Sequence, residues 1–93
     1  MPKPHIVVVV EGFADWSRPW SFLDAVLRHG SLSKADQIVV RIIWENVCSS
    51  THWEGFDSVT GSNAADQALQ SSFTWLSDIA RSHFVRAAAY EWQ

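Results

Sequence analysis

Ile6-Val7-Val8-Val9-Val10-Glu11-Gly12 is the stretch on which the fold reading turns. Five β-branched residues without a polar interruption suit a central strand covered on both faces. Branching at Cβ stiffens χ1 and fits a pleated surface better than a helix. Outward from it, Ser17 is a plausible helix N-cap with Pro19 in the first turn, and Trp20, Leu23 and Leu27 recur at helical spacing until Gly30. Ile38 to Glu45 repeats the Val/Ile enrichment, with Arg41 as its polar interior residue, and reads as a second strand. A polar connection, 46–51, leads to His52–Val59, whose alternation is a weak third strand interrupted by Gly55. Gly61-Ser62-Asn63 offers a turn and a cap. Ala65, Leu69, Phe73, Leu76 and Ala80 then form one helical stripe, and alternation from Phe84 to Trp92 reads as a last strand.

The order β-α-β-(β)-α-β over residues 1–93 predicts one α+β domain, a two-layer ferredoxin-like βαββαβ sandwich. If 52–59 is a loop, the remainder suits a small, mostly parallel α/β sheet with a helix on each face. A two-layer fold leaves one sheet face bare, so a partner or a second copy of the chain is expected to cover it.

Charge is uneven along the chain. Between residues 42 and 80 there is no Lys or Arg, while Glu45, Glu54, Asp57, Asp66 and Asp78 all fall there. The absence of a basic stripe disfavours nucleic acid as a direct ligand, and the acidic stretch favours a basic protein surface, such as that of a nucleic-acid-binding protein. No apolar run approaches the ~18 residues of a membrane helix. The opening Met1-Pro2-Lys3-Pro4-His5 lacks the apolar segment of a secretory leader, and the single Cys48 fits a reducing compartment, so a cytoplasmic location is expected.

Six tryptophans are the least ordinary feature: Trp16, Trp20, Trp44, Trp53, Trp75 and Trp92. Trp20 is expected in the core beside Leu23 and Leu27. Trp16 and Trp92 stand where full burial is hard, and Trp44 and Trp53 fall on the two arms of the expected hairpin. So small a core cannot readily enclose six indoles and five Phe rings, and exposed indoles favour binding hot spots. Together these readings single out Trp44, Glu45, His52, Trp53, Glu54, Phe56 and Asp57 as a partner-binding patch of aromatic anchors ringed by carboxylates.

Motifs for catalysis are sparse. His5, His29, His52 and His83 never recur at ligand spacing, no phosphate-cradling glycine loop occurs, and neither a metal nor a cofactor is expected. Cys48 with His52 is the one thiol–imidazole combination, and its setting in a Ser-rich connection suits an incidental cysteine.

Two short stretches carry family resemblances. Val8-Val9-Val10-Glu11-Gly12-Phe13-Ala14-Asp15, with Phe56-Asp57-Ser58 further on, resembles the Toprim domain of primases and topoisomerases. That likeness implies Glu11 as acid/base and Asp57 as a magnesium ligand, although Val59 stands where the family has its second aspartate. Met1-Pro2, Glu11-Gly12 and Val40-Arg41-Ile42-Ile43 are similar to the tautomerase superfamily, which implies Pro2 as base and Arg41 as a carboxylate binder. In size and composition alone, the chain resembles phage-encoded inhibitors of bacterial defence complexes, anti-CRISPR proteins among them. The favoured expectation is a non-catalytic interaction protein, with a small enzyme of one of these two kinds as the alternative.

Overall fold

The computed structural model describes residues 4–92, and every regular element in that span is helical. Helix α1 is Pro4–Glu11, a 3-10 turn at Pro19–Ser21 leads into α2 (Phe22–Leu27), and α3 is Lys34–Val47. A single turn, α4, covers Ser50–Trp53, followed by α5 (Ser58–Ser72) and α6 (Asp78–Glu91). The α+β expectation is therefore overturned, in its ferredoxin-like form and its parallel α/β form alike, because the described residues contain no strand.

Each expected strand fails for a physical reason. Ile6–Val10 lies within α1, where Ile6, Val9 and Val10 are buried and Val8 is exposed, the i, i+3, i+4 pattern of a helix. Five β-branched residues cost a helix roughly 2 kcal/mol in propensity. Burying three such side chains returns about 1.5–3 kcal/mol each, so packing against α6 wins. Ile38–Glu45 lies within α3, whose inward stripe is Asp36, Val40, Ile43 and Val47. A capping box starts it: Ser33 Oγ accepts from the Asp36 N–H, and Asp36 Oδ2 accepts from the Ser33 N–H (3.1 and 3.0 Å). His52–Val59 divides between α4, a turn and the first residues of α5. Phe84–Trp92 is helical through Glu91, and its alternation is an accident of Ala87–Ala89, of which the first two are buried.

The helical expectations shift too. Ser17 does not cap; its Oγ donates to Asp15 (2.8 Å), and the helix it was to start begins as a 3-10 turn. Gly30 has no positive φ, and α2 ends at Leu27 with Arg28 as its C-cap. The Ala65–Ala80 stripe is split between two helices. Asp57 caps α5 through the Thr60 N–H (2.7 Å), α5 stops at Ser72, and Ser77 caps α6 through the Ala80 N–H (3.1 Å).

Helix α6 is the hub, packing on α1, α3, α5 and the 3-10 turn. At the centre Phe22 is fully buried, with Phe84 and Phe13 edge-on to it (5.3 and 5.2 Å between centroids) and Trp16 stacked at 5.9 Å. Arg86 lies over the Trp16 ring at 4.3 Å. No described helix is long and apolar enough to cross a membrane.

Candidate partner-binding turn

The sequence-selected patch separates into an inward and an outward set. Trp53 is buried (5% exposed); its Nε1–H donates to the Val47 carbonyl at 2.7 Å. The indole lies against Gly61 on α5 so closely that a Cβ there would stand 2.5 Å from ring atom Cε3. Trp44 is half-buried on α3 with its ring 6.1 Å from Phe22, and His52 is half-buried on α4. Trp53 is therefore enclosed, while Trp44 keeps part of its ring at the surface, and neither stands on a hairpin arm.

Glu45, on α3, is exposed, as are Glu54, Phe56 and Asp57 in the α4–α5 turn. The turn is shaped by Gly55, whose φ of +81° lies in the left-handed region that disfavours a side chain. Trp53 pins the turn from beneath, while Phe56 stands out at 57% exposure and Val59, the second residue of α5, at 70%. Backbone and side-chain hydrogen bonds from Thr60 hold the Asp57 carboxyl below its ordinary value, so it is anionic at neutral pH.

The neighbouring acids are treated differently. Arg81, with only 13% of its side chain exposed, bonds Asp66 (3.1 Å) and Asp78 (2.7 Å). Burial opposes the Arg81 charge, but those two carboxylates more than offset it and raise its pKa. Glu45, Glu54 and Asp57 have no ion pair among the described residues. An apolar knob between two carboxylates without counter-charge is thus what the turn offers.

The remaining expectations resolve as follows. Glu11 ends α1 and accepts a hydrogen bond from Ser77 Oγ, tying α1 to the start of α6. Asp15 accepts from Ser17 and from Arg18 (2.7 Å), which hold its pKa down. No group of three or more His, Cys, Asp or Glu side chains suited to a metal ion occurs among the described residues. The Toprim and tautomerase likenesses both require strands, and Glu11 and Arg41 stand on helices instead; Pro2 lies outside the described residues. Burial first, and then the Glu91 charge, push the Cys48 thiol up to about 12, so it is no thiolate nucleophile at neutral pH.

Sequence reasoning missed several exposed apolar residues. Trp20 (60%) is on the surface, contrary to its expected core position, and lies beside Tyr90. Ile38 and Ile42 occupy the outer face of α3, opposite its buried stripe. A helical reading of 34–47, prompted by Ser33-Lys34-Ala35-Asp36, would have found them. Comparison with protein-family models, with curated proteins and with solved structures gave no match for this chain.

Proposed function

We propose that this chain is a protein-binding module that docks on a basic surface of a partner protein through the α4–α5 turn and acts by occupying that surface. Phe56 is the anchor, Val59 widens the apolar contact, and Glu54 and Asp57 supply the charge complementarity that steers and orients docking. The observation that carries this reading is the pairing of an outward phenyl ring with carboxylates that no cation of the described chain neutralises. A nucleic-acid-binding surface of another cytoplasmic protein has the matching charge, and covering it would block or assemble with that protein.

The test compares wild-type chain with the Glu54→Lys/Phe56→Ala double variant in affinity capture from host extract, with captured proteins identified by mass spectrometry. The expected result is a basic protein, released by raised salt, whose capture falls at least tenfold in the variant while the melting temperature moves by no more than about 2 °C. Loss of an aromatic anchor of this kind is worth about 2 kcal/mol of binding. Equal capture by both forms, or a captured protein that is acidic or insensitive to salt, defeats the reading.

A further inference from the structure

Helices α1 and α2 diverge from the Phe13–Arg18 connection and leave between them an open groove of about 780 Å³. On one side it is lined by His5, Val8 and Val9 of α1 and Gly12 just after it, and on the other by Ser21 at the end of the 3-10 turn, Asp24 and Ala25 of α2, and Arg28 at its C-cap. His5, Val8, Val9 and Gly12 follow an i, i+3, i+4, i+7 spacing along α1, and the stretch from the 3-10 turn through α2 faces them across a gap that side chains do not fill. The volume falls within the range of small-molecule sites. Val8 is 68% exposed because it faces this gap, and Val9, Phe13 and Val26 complete an apolar floor.

The polar groups are distributed by end. Beside Phe13, Arg18 is paired with Asp15 at 2.6 Å and donates from Nε to the same carboxylate at 2.7 Å. At the other end, His5 Nε2–H donates to Asp36 Oδ2 (2.6 Å), which also accepts from the Ser33 N–H, and this brings the start of α1 beside the 29–33 connection. Arg28 lies there with a loose contact to Asp24 (3.5 Å), and the two side chains are 81% and 70% exposed. His29 Nδ1 accepts from the Ser31 N–H (3.1 Å), which places the proton of the neutral ring on Nε2 as a free donor. The groove is therefore apolar along its length, with a releasable guanidinium and an imidazole donor at one end.

We infer that this groove binds a medium-chain amphiphile with a single carboxylate, its tail along Val8, Val9 and Phe13 and its head on Arg28 and His29. From His5 to Gly12 the α1 face is about 11 Å long at 1.5 Å per residue, which suits a tail of that class. The site is separate from the α4–α5 turn, and the inference does not depend on the proposed function.

The experiment titrates the full chain with decanoate, and with decyltrimethylammonium as a cation of the same tail, by calorimetry and two-dimensional amide NMR. Expected are saturable decanoate binding with shifts centred on Val8, Val9 and Phe13, and at least about tenfold weaker binding of the cation. Ala25→Phe, a substitution at an exposed position that fills the gap, removes decanoate binding without lowering the melting temperature. Arg28→Glu weakens decanoate at least tenfold and narrows the preference over the cation. No saturable binding by wild-type chain, equal binding of the two amphiphiles, unchanged affinity in Ala25→Phe, or shifts centred on Trp20 and Trp92 instead would each overturn it.

Discussion

Trp20 and Trp53 have the same side chain and opposite situations. Trp53 is enclosed where α3, α4 and α5 meet, donating from Nε1 and pressing on a glycine. Trp20, in the 3-10 turn, is 60% exposed and touches Tyr90 at 5.9 Å. The region around Trp53 closes because Gly61, without a side chain, lets the flat ring lie directly against α5. The α1–α2 region stays open where Gly12, Ser21 and Ala25, among the smallest residues of its lining, leave the gap unbridged. An indole therefore reports the local packing, and its identity alone says nothing about whether it binds a partner.

The largest expected effect is that of Trp53→Ala. It removes a buried ring and its hydrogen bond and should cost about 3–5 kcal/mol, a large part of the stability of a domain this size. Urea unfolding followed by circular dichroism measures it, and a loss below about 1 kcal/mol would break the contrast with Trp20. Gly61→Ala comes next. In most helix interiors this change gains up to about 1 kcal/mol from propensity. Here the added Cβ meets a rigid, buried ring at 2.5 Å, and overpacking of about 1–3 kcal/mol prevails, so the sign is destabilising. A raised melting temperature in this variant would show that the ring has room to shift.

Acid should separate the two regions. The Ser33 N–H, the His5 hydrogen bond and the Ser33 hydroxyl hold the Asp36 carboxyl below its ordinary value of 3.8. A depressed pKa means that the ionised carboxylate stabilises the fold above the unfolded value, and that this contribution is lost as pH falls through the folded one. Because Asp36 links α1 to α3, amides of α1 should lose protection before those of α5 as pH is lowered below about 4. Simultaneous loss in hydrogen-exchange measurements would contradict the division into an open and a closed region. The smallest effect is expected for Trp20→Ala, less than about 1 kcal/mol by the same urea measurement, since the ring is largely solvated.

Much of the helical structure was legible in short-range signals that the β-branched runs masked. Ser33-Lys34-Ala35-Asp36 is a capping pattern, and Asp57 and Ser77 each stand where an N-cap residue starts a helix. The buried stripe Asp36, Val40, Ile43, Val47 has helical spacing, but its Val and Ile content invited a strand. The β-branched runs are also mutually consistent as a sheet, since each would supply a pairing partner for the next and β propensity alone does not oppose it. Of the candidate patch, the unpaired carboxylates Glu54 and Asp57 were legible from the lack of Lys and Arg between residues 42 and 80, whereas the turn that sets Phe56 outward was not, since 52–59 reads as a strand. The inward turn of Trp53 was not, because the cause is Gly61, eight residues further along on another helix.

What the sequence determined by itself is local. The caps at Ser33, Asp57 and Ser77, the turn at Gly55 and the acidic stretch without basic residues follow from groups within about four residues of one another, where hydrogen bonds and charge act directly. Only the tertiary structure decided which indoles are covered, which of the acids Arg81 neutralises, and that α1 and α2 stand apart. Burial is a property of the face that a neighbouring helix happens to cover, and that neighbour is set by the packing of the whole chain.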